Sequence, residues 1–191
     1  MSVTPTTIVE GFSISHAAIL NGVSGLEEPF GDVYGVRDGS IEPDVDSYDN
    51  TGDDSILSVW NWFNYANVNI VAGYVPFRTI SLITGDVMTS SGTGSVSQYQ
   101  IDMWSQTSLN VAPKPMLIRV PSKDSLGNPR FLDFMLYRVQ FNPITFTGPT
   151  YKEGLVINYG GKALISSVDE KGATLAGGKR VIGRLVSIPS P

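Results

Sequence analysis

Arg130-Phe131-Leu132-Asp133-Phe134-Met135-Leu136-Tyr137-Arg138-Val139-Gln140-Phe141 reads as a strand with two faces. Phe131, Asp133, Met135, Tyr137, Val139 and Phe141 fall on one side, and Leu132, Phe134, Leu136, Arg138 and Gln140 on the other. Both sides are largely apolar, the pattern of a strand covered on each face or lying at a subunit boundary. Phe134 and Leu136 are therefore candidates for a subunit interface, and Asp133 for a polar wall.

Upstream, Lys123, Asp124, Gly127 and Asn128 are turn formers, so a hairpin joins this strand to an earlier one over residues 116–120, which Pro113 and Pro115 keep from starting sooner. Further back, Tyr99, Ile101 and Met103 alternate with Gln98, Gln100 and Asp102 across residues 98–104, a half-buried strand with Asp102 as a second polar-wall candidate. Residues 90–97 read as a polar linker. Pro76 opens one short helix; Phe77, Ile80 and Ile83 give it an apolar stripe and Gly85 ends it. Residues 56–74 read as one long strand or two interrupted ones, because Val68, Ile70 and Ala72 alternate and the asparagines disfavour a helix. A short strand is expected over residues 30–36. Downstream, strands over 155–168 and 181–188 flank a glycine- and lysine-rich turn, 169–179.

Six to eight strands and one short helix on 191 residues indicate a mainly β fold, a β-sandwich or partly open barrel with one flanking helix. The length fits a single domain, residues 1–191. Residues 37–55 stand apart as an extended acidic loop or arm. From Asp38 to Asp54, 17 residues carry seven acids and no base. Left isolated, such a segment repels itself, so an ordered arm needs a partner.

Charge is divided along the chain. Residues 1–60 contain 11 acids and one base, and residues 61–191 contain seven acids and 12 bases, for −10 and +5 and a total of −5. That split suits contact between the first part of one molecule and the last part of another, or between the two within one chain. Asp44, Asp46, Tyr48, Asp49, Asp53 and Asp54 are the arm candidates, and Lys179, Arg180 and Arg184 their basic counterparts. Charged residues are only 16% of the chain, against about 25% in a typical globular protein, which suggests that assembly covers part of the surface.

Chemistry is sparse. Cysteine is absent, excluding disulfides, thiolate metal sites and cysteine nucleophiles. With His16 the one histidine, a histidine-rich zinc site or metal triad is excluded, and no Gly-x-Ser-x-Gly elbow stands ready to use it. His16 reads as structural. Gly172 to Arg180 is superficially like a phosphate loop, but its glycine spacing is one too long and Arg180 stands where a magnesium-binding hydroxyl belongs. A calcium loop opening at Asp44 would meet Tyr48, Asp49 and Ser55 at positions that demand an oxygen donor, a glycine and a glutamate. Trp60, Trp62, Phe63 and Tyr65 suit a strand core or an interface better than a ligand platform. No catalytic, cofactor or metal residue is nominated. The N-terminus lacks the basic start and apolar run of a secretory signal, so neither export nor a membrane span is expected.

Three segments carry a resemblance. They are Val33-Tyr34-Gly35-Val36-Arg37-Asp38-Gly39-Ser40-Ile41-Glu42-Pro43-Asp44 with Asp49-Asn50-Thr51-Gly52-Asp53-Asp54 and Trp60-Asn61-Trp62-Phe63-Asn64; Gly154 to Asn158 with Tyr159-Gly160-Gly161-Lys162-Ala163-Leu164; and Arg180-Val181-Ile182-Gly183-Arg184-Leu185. Across roughly residues 30 to 188 the chain resembles the major tail tube proteins of long, non-contractile-tailed actinobacteriophages.

The resemblance implies a structural virion protein of the phage tail, assembled in the host cytoplasm. It implies a β-sandwich whose wall strands join into a continuous barrel within a hexameric ring. Rings stack head to tail around a tape-measure protein, meet tail terminator and distal tail proteins at the ends, and later pass double-stranded DNA. With about four wall strands from each subunit, a spacing of about 4.8 Å and a tilt of about 40°, the bore inside the side chains comes to roughly 38 Å, wide enough for duplex DNA. Asp102 and Asp133 are the lumen candidates, Phe134 and Leu136 the ring-interface candidates, and the acidic arm with Lys179, Arg180 and Arg184 the inter-ring candidates. Rival readings are another virion β-sandwich (tail terminator or capsid decoration), a carbohydrate-binding module, and a hydrolase using the acidic arm.

Overall fold

A computed structural model describes residues 14–33, 35–52, 55–73, 77–92, 98–101, 111–150 and 154–190. Among these residues eleven strands and one α-helix follow in order: β1 (His16–Leu20), β2 (Glu27–Asp32), β3 (Val36–Gly52), β4 (Ser55–Ala72), α1 (Phe77–Thr84), β5 (Met88–Ser91), β6 (Gln98–Ile101), β7 (Lys114–Lys123), β8 (Pro129–Phe141), β9 (Thr145–Thr150), β10 (Gly154–Leu164) and β11 (Gly183–Pro189). Nine strands form one antiparallel sheet in the order β2-β1-β7-β8-β10-β4-β3, with β11 added beside β8 and β9 beside β10. Strands β5 and β6 pair separately as a ribbon. The fold is thus mainly β with one short flanking helix, and the large sheet is open, ending on β2 and β3.

Strand β8 organises the sheet by changing partner along one of its edges. Residues 130–136 pair with β11, whereas residues 139–141 pair with β10. On its other edge β7 runs past the whole exchange. The register there slips between Lys114↔Val139 and Met116↔Leu136, so β8 holds one extra residue at 137–138. That bulge inverts the alternation read from the sequence, because an inserted residue turns every later side chain to the opposite face. Phe134 and Leu136 therefore share the core face with Val139 and Phe141. Both exchanging strands meet β8 through a glycine. A Cβ on Gly161 would stand 2.8 Å from the Gln140 carbonyl oxygen, and one on Gly183 would overlap that of Met135.

The core lies on one face of the curved sheet and is built from alternate residues of its neighbouring strands. Ala17 and Ile19 of β1, Met116 and Ile118 of β7, and Ile157 and Tyr159 of β10 meet Ala66, Val68, Ile70 and Ala72 of β4, with Asn67 and Asn69 of β4 turned to solvent. Helix α1 adds Ile80 and Ile83 as its stripe predicts, but Phe77 is half exposed. Thr79 Oγ1 donates to the Asp32 carbonyl at 3.0 Å, and Gly85, at φ +72°, closes the helix through Gly85 N–H to Ser81 C=O at 2.8 Å.

Several expectations change. The strand placed at residues 30–36 is β2, Glu27–Asp32, and Val36 begins β3. The linker at 90–97 begins inside β5, since Ser90 and Ser91 pair with Tyr99 and Gln98. The strand expected over 98–104 is described to Ile101; Asp102 lies outside the described residues. Strands β1 and β9 carry no clear sequence signal. The acidic segment is strand β3, paired with β4 from Val36↔Ala72 to Gly52↔Ser55, so β4 supplies the backbone partners that its composition does not advertise.

Tyr159, on β10, is almost fully buried, and its hydroxyl has no hydrogen-bond partner among the described residues. Desolvation pushes its pKa well above the ordinary value. An unfolded tyrosine ionises near pH ~10 while the folded one keeps its proton, so Tyr159 costs stability as pH rises above that point. Tyr159→Phe is expected to leave stability at neutral pH equal or raised by about 1 kcal/mol and to blunt the alkaline loss, measured as urea midpoints at neutral and alkaline pH. A lower neutral midpoint with an unchanged alkaline fall would contradict this account.

Candidate assembly surfaces

Strand β10 covers β4 only from Leu164↔Tyr65 to Ile157↔Ala72. Beyond that limit β3 and β4 continue together, from Val45↔Phe63 to Gly52↔Ser55, with no third strand among the described residues. Residues 45–63 therefore project as a two-stranded ribbon about 25 Å long, at about 3.3 Å per residue. At its root the register slips between Asp44↔Tyr65 and Val45↔Phe63, leaving Asn64 as the extra residue. The Asn64 amide donates to Asp46 Oδ2 at 2.7 Å and pins this bulge. Val45 and Trp62 are half exposed, and Phe63 is 41% exposed.

The arm candidates divide accordingly. Asp44 is half buried at the root, Asp46 is exposed, and positions 48 and 49 lie on the ribbon, opposite Trp60 and Val59. Asp53 and Asp54 lie outside the described residues. As Asp44 and Asp46 sit on an extended strand, the segment has no calcium-loop geometry at these positions.

The basic candidates also separate. After a 3-10 turn, Ala176–Gly178, Lys179 and Arg180 are exposed and make no ion pair among the described residues. Arg180 borders a shallow, mostly apolar depression of about 280 Å³ with Phe63, Ile165 and Ile182, which sets it beside the root of the ribbon in the same chain. Arg184 turns elsewhere: its guanidinium bonds Glu170, a carboxylate only 1% exposed. Its charge is matched inside the chain.

Leu136 belongs to the chain's own core, and Phe134 packs against it half buried. Asp133 faces away from them and is buried, accepting from Arg119 Nε at 2.7 Å and Nη2 at 2.8 Å. This two-point bond raises the Arg119 pKa, with smaller contributions from the charges of Asp133 and Glu27 working against desolvation. The glycine-rich turn also departs from a phosphate loop. Asp169 Oδ1 accepts from the backbone of Lys171 and Ala173, and a 3-10 turn follows where a phosphate loop needs an α-helix.

A second, polar depression of about 490 Å³ follows the β5–β6 ribbon, lined by Thr89, Ser90, Gln98, Gln100 and the half-exposed Tyr99. No family model matches the chain, and no curated protein is significantly similar to it. The described residues thus present an acidic ribbon without a third strand, an apolar and cationic hollow at its root, and open sheet edges.

Proposed function

We propose that the chain is a structural subunit of a phage tail tube: copies close into hexameric rings, and rings stack head to tail. The observation that carries this reading is the ribbon at residues 45–63. A two-stranded ribbon alone is marginal in water, and this one exposes Val45, Trp62 and Phe63, so a neighbouring molecule is the natural source of its missing contacts. The resembling segments fall on β3–β4, on β10 and on β11, and β10 lies beside β4 in the sheet. The open sheet edges at β2 and β3 would be satisfied by wall strands that continue into the next copy. In the assembled tail the partners are further copies, the tape-measure protein, the terminator and distal proteins, and DNA in transit, all in a virion assembled in the host cytoplasm.

Negative-stain images of the purified, tag-free chain, with sedimentation across concentration, test the proposal. Six-fold rings and stacked tubes are expected. A monomer at every concentration that never yields rings would end it. The polar hollow beside Tyr99 favours the carbohydrate-binding alternative, which predicts that same monomer together with saturable sugar-dependent fluorescence changes.

A further inference from the structure

The far side of the sheet from the ribbon carries a donor set that the composition hides. One histidine excludes a histidine-rich metal site, but the exclusion of any metal triad drawn from the sequence is too broad, because three mixed donors converge where β1 meets β2. His16 Nε2 stands 2.9 Å from Glu27 Oε1 and 3.6 Å from Asp32 Oδ1, and all three atoms lie within 4.8 Å of one another. We propose that His16, Glu27 and Asp32 bind a divalent transition ion of the Zn²⁺ class, joining β1 to β2.

The backbone explains how the two carboxylates reach one imidazole. Strand β2 begins at Glu27 and ends at Asp32, and in an unbroken strand these α-carbons would stand about 17 Å apart. The register runs Ala18↔Asp32 and Leu20↔Glu27, so a step of two residues on β1 faces a step of five on β2. This irregularity shortens the path between the two acids. Bulges of this kind recur where a side chain must be re-aimed.

Donor spacing fits the ion. Tetrahedral bonds of about 2.0–2.1 Å place ligand atoms roughly 3.3–3.4 Å apart, between the two distances found here. Asp32 Oδ1 is enclosed and has no hydrogen-bond partner among the described residues, although its side chain as a whole is 31% exposed. An enclosed carboxylate oxygen without a donor is suited to a cation.

Local charge points the same way. Arg119 pairs across the strands with His16, but both of its bonding nitrogens are committed to Asp133. Once that pair cancels, Glu27 and Asp32 leave two negative charges facing one imidazole, and a divalent ion neutralises both. One imidazole nitrogen with two carboxylate oxygens favours a borderline ion such as Zn²⁺ over Mg²⁺, which prefers oxygen ligands and retains its waters. The fourth position is then open to water.

The composition makes the test clean, because the chain has no cysteine and no second histidine to compete. The tag-free full chain is titrated with Zn²⁺ alone by calorimetry, with Co²⁺ absorption as an independent report of coordination. One equivalent is expected to bind and raise the unfolding temperature, while Mg²⁺ does neither. His16→Gln, Glu27→Gln and Asp32→Asn should each weaken Zn²⁺ binding about tenfold or more. If either of the other variants misfolds, Glu27→Gln decides, since that side chain is 45% exposed and circular dichroism can verify its fold. Absence of saturable Zn²⁺ binding would overturn the proposal, leaving a simple histidine–carboxylate cluster; so would binding indifferent to Glu27→Gln. Either result is independent of whether the chain forms tubes.

Discussion

Leu136→Asp is expected to abolish folding, giving an insoluble chain or one with no cooperative urea transition. Leu136 is 5% exposed, pairs across β8 with Met116 on one side and Gly183 on the other, and belongs to the central core cluster. Truncating a buried leucine costs about 2–5 kcal/mol, and an unpaired buried carboxylate adds several more. The sum rivals the roughly 5–15 kcal/mol that holds a typical domain together. Two companions locate the cause. Leu136→Met keeps the volume and should cost less than about 1.5 kcal/mol. Leu185→Asp places the same charge on neighbouring β11 at a side chain 57% exposed and should leave the transition nearly unchanged. A soluble Leu136→Asp protein with a near wild-type midpoint would show that the core is wrongly placed. Loss of folding, rather than loss of rings alone, is what separates the intramolecular role of Leu136 from the interface role that its sequence pattern suggested.

The second large effect is expected from removing the projecting ribbon. Excising residues 46–62 and joining Val45 to Phe63 through an Asn-Gly turn should leave the domain folded, because β10 and the core reach β4 only below that point. The variant should form no stacked tubes under conditions in which the wild type does. Each well-buried aromatic anchor in an interface contributes about 2 kcal/mol or more, so loss of Trp62 alone should weaken stacking roughly 30-fold. The acids contribute less, about 0.2–1 kcal/mol for each exposed pair, and chiefly set orientation. Arg180→Glu should therefore weaken stacking mildly and in a salt-dependent way. Normal tubes from the excised chain would refute the role given to the ribbon, whatever the charge reversal did.

Strong periodicity was legible and long-range pairing was not. Alternating Val68, Ile70 and Ala72 marked β4, the Ile80/Ile83 stripe marked α1, and Asp124 to Asn128 marked the β7–β8 turn. Strand β3 escaped because its acids and Pro43 are poor strand formers; its conformation comes from β4, to which it pairs along its length. The bulge at 137–138 escaped because both faces of β8 are apolar, so a change of face leaves no break in the hydropathy pattern. Arg184 was grouped with Arg180 by proximity in sequence, yet Arg180 lies ahead of β11, which begins at Gly183, while Arg184 is held on that strand with its partner Glu170 across a turn. The convergence of His16 with Glu27 and Asp32 was hidden for a similar reason. An irregular register joins residues whose spacing fits no simple motif.

The exchange of partners along β8 also sets a timetable. During synthesis β8 is complete at Phe141, but β11, which pairs with its residues 130–136, begins only at Gly183. At translation rates of about 5–20 residues per second, the intervening stretch takes roughly 2–8 s to emerge. In the later part of that interval, once β10 (Gly154–Leu164) has been made, it lies beside one half of a β8 edge whose other half is still open. The bulge at 137–138 opposes a β10 that would keep zipping along β8 into the place of β11. The same irregularity that fixes the sheet's final register thus guards a nascent chain against closing too early.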